Sequence, residues 1–416
     1  MSSSQDTEVE ATAHDWIRKF SDFSEKRAGS IDSSEAGDVV LLTGSTGVIG
    51  CHIVHSLIQR PTVDRVYCLI RSKQSSPVSQ RLDDVLIKNH LIEDLSLEQR
   101  KKIIAIPYDL YSRERMDLSQ NDYETLRRSV TVIIHNAWAV NFNMKFPSFE
   151  PHCRGTFDLI NLALQSELKT KPAFVFISTV GAIFKAEPKP IREKLYGFEA
   201  ATNGTNYALS KWTTEQICSA AAKAGLPVSI VRLGQICGDT KYGMWNAKEA
   251  QPQIIAAACT IGAVPAAKNH DDGHSWLPSD VTGAAVADIA LLDHVDSATK
   301  ALIPSLAVYH VANAKTVLWK ADVLPALRRH GLTFETISWP EWVDRLEADP
   351  NVLRNPPYRL IKFYRVMASG RTDDVQEKAS PALMMDMTNA SKVSPRLAGG
   401  IEIDEALVDT IPLTIN

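Results

Sequence analysis

The sequence predicts an α/β protein: a doubly wound parallel sheet, followed by a smaller, mostly helical C-terminal lobe. Three observations predict it. From residue 38 to residue 234, short apolar runs alternate with helix-length stretches. Most of the runs are continuously apolar, as strands covered on both faces require. Beyond Gly234, proline becomes more frequent and helical patterns dominate.

The elements follow in chain order. Residues 1–37 read as a leader or linker, with Trp16, Ile17, Phe20 and Phe23 on one helical face that can pack on the body. Residues 39–42, Val-Val-Leu-Leu, form the first strand and run into Gly44, Gly47 and Gly50. Behind them Ile53, Val54, Leu57 and Ile58 have helical spacing. Further strands are predicted over 65–71, 103–110, 131–137, 173–179 and 228–233. Helices are predicted over 81–91, 149–164 and 206–224, the last closed by Gly225 and Pro227. The first domain is expected to span 38–234 and the second 235–416. In the second, helices are expected over 251–261, 281–292, 320–330 and 339–348. The segment around 275–315 is expected to return to the first domain, with 307–311 as its strand.

Composition excludes several function classes. A net charge of −4 offers no basic surface for nucleic acid. Six cysteines are scattered without a C-x-x-C pair, which speaks against zinc or a disulfide frame and predicts no metal. The N-terminus is polar and acidic, unlike a signal peptide. No apolar run approaches the roughly 20 residues of a membrane span. The expectation is a cytoplasmic protein, monomeric and free of membrane.

The strand, glycine turn and helix at 39–58 are the arrangement that lets backbone approach a pyrophosphate at a helix N-terminus. Gly44, Ser45, Thr46, Gly47, Val48, Ile49 and Gly50 are therefore candidates for binding a dinucleotide in a Rossmann domain. The spacing is G-x-x-G-x-x-G, one residue longer than the common fingerprint. The second strand ends on Arg71, with Lys73 beyond it and Arg81 further on. A basic residue at this strand end accommodates the 2′-phosphate of NADP, so the cofactor expected is NADPH. Asp109, with Leu110, ends the third strand, where its carboxylate can accept from the adenine amino group. Asn136, Ala137 and Trp138 end the fourth, where small residues admit the nicotinamide ribose. Leu233 ends the sixth.

Tyr207 and Lys211, four apart, share one face of the helix at 206–224. An ammonium so placed favours the phenolate, and the lysine can also hold the ribose hydroxyls. The fifth strand ends in Ser178-Thr179, and either hydroxyl can polarise a carbonyl oxygen.

Residues 43–50 (T-G-S-T-G-V-I-G), 178–179 and 207–212 (Y-A-L-S-K-W) resemble the extended short-chain dehydrogenase/reductase superfamily. Within it, C-L-I-R (68–71), H-N-A-W-A-V-N-F (135–142), F-I-S-T-V-G (176–181), S-K-W-x-x-E (210–215), V-R-L-G-Q (231–235) and W-L-P-S-D (276–280) resemble thioester reductase domains. Those are the terminal reductase domains of nonribosomal peptide synthetases, fungal synthetase-like enzymes and carboxylic acid reductases. The resemblance spans residues 38–395 and is strongest to the fungal enzymes. It implies NADPH-dependent reductive release of an acyl thioester, carried on the phosphopantetheine arm of a carrier protein, as an aldehyde, with some members continuing to an alcohol. It implies catalytic roles for Tyr207 and Lys211, and for Thr179 rather than Ser178. Lys241, Lys248, Arg328 and Arg329 are candidates for a basic patch that docks the carrier. The chain contains no adenylation domain and no room for a carrier in its first 37 residues. Either a free-standing reductase or an excised domain is expected. The alternatives are another superfamily reaction on a free carbonyl and a non-catalytic NADP-sensing module. An acidic residue in place of Arg71 would favour the epimerases and dehydratases, and a sensor needs no proton donor.

Overall fold

Seven strands, all parallel, form the central sheet. They are β1 (Asp38–Thr43), β2 (Val63–Arg71), β3 (Ile103–Tyr108), β4 (Val132–His135), β5 (Ala173–Thr179), β6 (Val228–Leu233) and β7 (Leu306–Val311). Their order across the sheet is β7-β6-β5-β4-β1-β2-β3. The computed structural model describes residues 2–23, 29–32, 37–72, 76–110, 112, 115–201, 205–267, 273–369 and 385–403.

Period-two alternation divides the buried strand residues between two cores. Leu41, Phe174, Phe176 and Ile230 face one side, under α5 (Glu150–Leu164) and α6 (Asn206–Lys223). Val40, Leu42, Val175 and Ile177 face the other, under α2 (Val48–Ile58) and α8 (Ser279–Leu291). Both faces are covered, which is why the strands read as unbroken apolar runs. The order of winding reverses between β1 and β4, the switch point beside which ligands of such sheets bind in a crevice.

Several element ends differ from the sequence reading for identifiable reasons. Helix α2 begins at Val48, directly after the turn, so Gly50 lies inside its first turn rather than before it. Strand β4 stops at His135, because the Thr43 hydroxyl accepts the N–H groups of Asn136 and Ala137 at 3.1 and 3.0 Å. The expected helix at 320–330 is a wide turn, Trp319–Val323, followed by the short helix Leu324–Arg329 with Pro325 near its start. Proline lacks the N–H that would continue a regular ladder.

The C-terminal region supplies β7 to the sheet edge and α8 to its face. Trp276–Pro278 adds a short parallel pair with Gln235–Cys237. The remainder clusters separately around Trp245, Trp276, Trp319, Trp342 and Tyr364. It contains α7 (Ala250–Thr260), α9 (Trp339–Glu347) and α10 (Ile361–Ala368), but also two further short strand pairs that the sequence does not announce. The indoles are tied as well as buried: Trp319 and Trp342 donate to the carbonyls of Pro265 and Ala263.

The N-terminal helix α1 (Ser2–Lys19) lies against α6. Trp16 stacks on Phe146 with ring centres 4.6 Å apart, and Phe20 and Phe23 meet Phe157. Trp16 is buried. Trp16→Ala should therefore lower unfolding stability by about 3 kcal/mol or more, measured by urea denaturation. A segment that merely links would change it by less than about 0.5 kcal/mol.

Candidate active site

The turn after β1 is built for close backbone approach. Gly44 has φ of +73°, which disfavours any side chain there. A Cβ at Gly44 would meet Ala137 N at 2.8 Å, and one at Gly50 would meet the Gly44 carbonyl oxygen at 1.9 Å. Gly47 caps α2 without any side-chain hydrogen bond, which leaves N–H groups of the first turn open. Thr46, Val48 and Ile49 are half-buried around the turn, and Ser45 is buried against Cys68 of β2. Asn136 closes the far side, donating to the Gly44 carbonyl at 3.2 Å.

A buried chain of hydrogen bonds locks this arrangement. The Thr43 hydroxyl lies 2.8 Å from His135 Nδ1, and His135 Nε2 lies 3.1 Å from the Thr156 hydroxyl. Thr156 donates to the His152 carbonyl, so the network assigns a neutral imidazole with its proton on Nε2. Burial holds the His135 pKa well below the ordinary value, and Lys211 adds to the effect.

Around the crevice, Arg71 is exposed at the end of β2, and its carbonyl accepts from Arg81 at 2.5 Å. The Arg81 guanidinium thus lies at the end of β2. Lys73 lies outside the described residues. Asp109 follows β3, where its N–H donates to the Met116 carbonyl, and Leu110 is buried against Gly155. Leu233 ends β6 beside Thr179 in register.

Tyr207, Lys211 and Glu215 form one stripe of α6 at successive four-residue steps. Thr205 caps the helix by accepting from Ala208 N. Lys211 is 2% exposed. Its ammonium donates to the Ile177 carbonyl at 2.6 Å and lies 4.1 and 4.8 Å from the ring centres of Trp138 and Phe176. Trp138 in turn donates to Ser210, one residue before the lysine.

One expectation changes here. The phenol of Tyr207 was expected to be acidified by Lys211; instead burial alone drives its pKa upward. The ammonium is engaged by the Ile177 carbonyl and two aromatic faces, so the phenol keeps its proton at neutral pH. The two hydroxyls at the end of β5 differ in their surroundings. Ser178 is buried and donates to Glu215 at 2.5 Å, whereas Thr179 is half-buried and its hydroxyl accepts only the Gly181 N–H among the described contacts.

Three neighbours of these residues escaped the sequence reading as site components. Phe142 meets Tyr207 edge-on with ring centres 5.7 Å apart, and Phe363 of α10 stacks on Phe142 at 5.6 Å. The C-terminal region therefore reaches the tyrosine through an aromatic pair. Glu215 is the third; its motif position was the available signal, but only strand register supplies its partners. Of the four cations proposed for a docking patch, Lys241 pairs with Asp94 at 2.9 Å and Arg328 lies over the Phe334 ring. Neither is an uncommitted charge.

Residues 42–286, well over half of the chain, match the NAD-binding family described as Male sterility protein. The chain belongs to this family. Membership of this family supports a nicotinamide cofactor for the chain. Among curated proteins the chain is similar to the adenylate-forming reductase Nps9 of Serpula lacrymans, at 33% identity over 90% of this chain and 34% of that protein. It is also similar to a carboxylic acid reductase of Neurospora crassa, at 28% identity over 87% of this chain and 33% of the relative. The chain spans about a third of the length of these relatives. Its fold is shared with the terminal R domain from the myxalamid PKS-NRPS pathway, with a TM-score of 0.76 and 21% identity over 99% and 97% of the two chains. An R domain of a nonribosomal peptide synthetase from Mycobacterium tuberculosis gives 0.71 and 20%, over 96% and 95%.

One titration follows from the packing behind the site. His310 of β7 lies 3.2 Å from the Arg232 guanidinium through Nε2 and 2.8 Å from the Asp386 carbonyl through Nδ1, which requires a neutral ring. Burial first, and Arg232 second, lower its pKa to about 4. Between about 6.5 and 4 the unfolded chain takes up a proton that the folded one refuses, so stability falls as pH falls through that window. His310→Gln should flatten this part of the curve of urea midpoint against pH.

Proposed function

We propose that the protein is an NADPH-dependent thioester reductase that releases a carrier-bound acyl group as an aldehyde, with further reduction to an alcohol open to it. What supports this reading is that Lys211, one helical turn from Tyr207, donates to the carbonyl of Ile177, two residues before Thr179, in a chain similar to carboxylic acid reductases and adenylate-forming reductases. A dinucleotide fits the turn, because the space that a Cβ at Gly44 or Gly50 would fill is closed by backbone and the first N–H groups of α2 are left open. Gly44 to Gly50 would hold the pyrophosphate, Arg71 with Arg81 and Lys73 the 2′-phosphate, Asp109 and Leu110 the adenine, and Asn136, Ala137, Trp138 and Leu233 the nicotinamide half.

NADPH, when bound, supplies the hydride that reduces the thioester carbonyl. Tyr207 and Thr179 bind the carbonyl oxygen and oppose the charge that develops on it. Because burial keeps the Tyr207 phenol protonated, it acts as hydrogen-bond and proton donor rather than as a base. Lys211 is fixed by Ile177 so that its ammonium serves the ribose hydroxyls and supports the proton on the tyrosine side. Loss of the thiol then gives the aldehyde. The acyl thioester would arrive on the phosphopantetheine arm of a carrier protein, at a high effective concentration set by the arm. No described helix is long and apolar enough to cross a membrane. We take the protein to act in the cytoplasm as a monomer.

The test is NADPH oxidation with acyl-N-acetylcysteamine thioesters. Tyr207→Phe should lower turnover by about 10²–10⁴ while NADPH still binds; undiminished turnover would reject the mechanism. Reduction confined to free aldehydes or ketones would replace the thioester reading with that of a carbonyl reductase. Arg71→Ala should weaken NADPH binding by roughly tenfold or more, one charge-assisted bond, and leave NADH nearly unchanged. Equal use of both cofactors by the unmutated protein would overturn the assignment to NADPH.

A further inference from the structure

Ser178, Arg232 and His310 are direct partners in the registers of β5, β6 and β7. Residues paired in register share a sheet face, so the three form a polar row across neighbouring strands beneath α6. Glu215 of α6 descends onto this row. One carboxylate oxygen accepts from Ser178 at 2.5 Å and from Arg232 Nε at 2.9 Å; the other accepts from Arg232 Nη2 at 2.7 Å. Glu215 and Arg232 are both 0% exposed. The two residues before Thr179 are thereby held by α6: the Ile177 carbonyl accepts from Lys211, and Ser178 donates to Glu215.

We propose that Glu215 is a positioning residue that does two things: it anchors the end of β5 that carries Thr179, and it is the buried counter-charge that keeps Lys211 protonated. The second part rests on counting charges. Facing Lys211 are Glu215 and Cys218 on its own helix, Cys153 and His152 on α5, and His135 on β4, with Arg232 behind Glu215. Cys153 and Cys218 are held as thiols by burial, and both histidines are held neutral. One carboxylate thus balances two buried cations. Arg232 cannot give up its proton, so any loss of negative charge falls on Lys211. Burial pushes the Lys211 pKa well below the ordinary lysine value, and Glu215, one helical turn away on the same buried stripe of α6, is the first of the groups that oppose it.

The role of Lys211 rests on the proposed reductase reading, but its protonation does not. The test uses full-length protein with ¹³C-labelled lysine and follows the Lys211 Cε shift against pH. Glu215→Gln keeps the shape of the carboxylate and removes its charge, so the Lys211 titration should move down by about one pH unit or more. Arg232→Met removes the competing cation and leaves the carboxylate to Lys211, so the titration should move up. Opposite shifts are the expected result. Shifts in the same direction, or none, in variants with native circular dichroism would overturn the charge role. Ser178→Ala leaves both charges in place and tests the anchor. It should lower kcat for an acyl-N-acetylcysteamine thioester about tenfold with little change in NADPH affinity, and unchanged kcat would overturn the anchor. If Glu215→Gln fails to fold, the upward shift in Arg232→Met still decides. Opposite Cε shifts without thioester turnover in the unmutated protein would uphold the charge role and reject the reductase reading.

Discussion

The rest of the structure depends on how closely β1, β4 and α2 approach one another at the glycine turn. Two glycines permit it: Gly44, which lies in the left-handed region, and Gly50, whose absent Cβ is where the Gly44 carbonyl sits. Because no side chain intervenes, α2 starts immediately after the turn and its N-terminus opens into the crevice. The same proximity lets Thr43 accept the N–H groups that end β4, and so sets where Asn136, Ala137 and Trp138 leave the sheet. A substitution that props these backbones apart disturbs the turn, the loop after β4 and the ring that lies over Lys211 together.

A second constraint is electrostatic. The region under α6 buries Lys211 and Arg232 with one carboxylate, Glu215, among residues otherwise neutral. Charges so far from water persist only with partners and hydrogen bonds that replace hydration. Here the partners are also structural: a strand-end carbonyl for the lysine, and a bidentate carboxylate for the arginine. The geometry of the crevice and its charge state are therefore set by the same contacts. The histidines around this site stay neutral because burial first, and a positive neighbour second, oppose a charge on the ring.

The aromatic contact between Phe142 and Phe363 joins the two parts of the chain beside Tyr207. It brings the C-terminal region against the half-buried Tyr207 through these two rings. Burial there explains why the phenol is less acidic than its lysine neighbour suggests, since desolvation of a phenolate outweighs an ammonium already engaged elsewhere.

Much was legible in the sequence because it is written locally. Continuous apolar runs determined the buried parallel strands, including β5 and β6 to the residue, and the glycine spacing determined the turn. The four-residue step from Tyr207 to Lys211 determined that both share one helix face. What the tertiary structure alone decided has a common physical cause: it depends on neighbours remote in the chain. Strand register made Ser178 a partner of Arg232 and set its hydroxyl on Glu215, whereas Thr179, one residue on, is half-buried and faces away from that row. Burial and the Ile177 carbonyl, not the distance to Tyr207, decided where the Lys211 charge acts. The pairing of Lys241 with Asp94, and of Phe142 with Phe363, joins residues more than a hundred positions apart, beyond the reach of any periodicity or propensity.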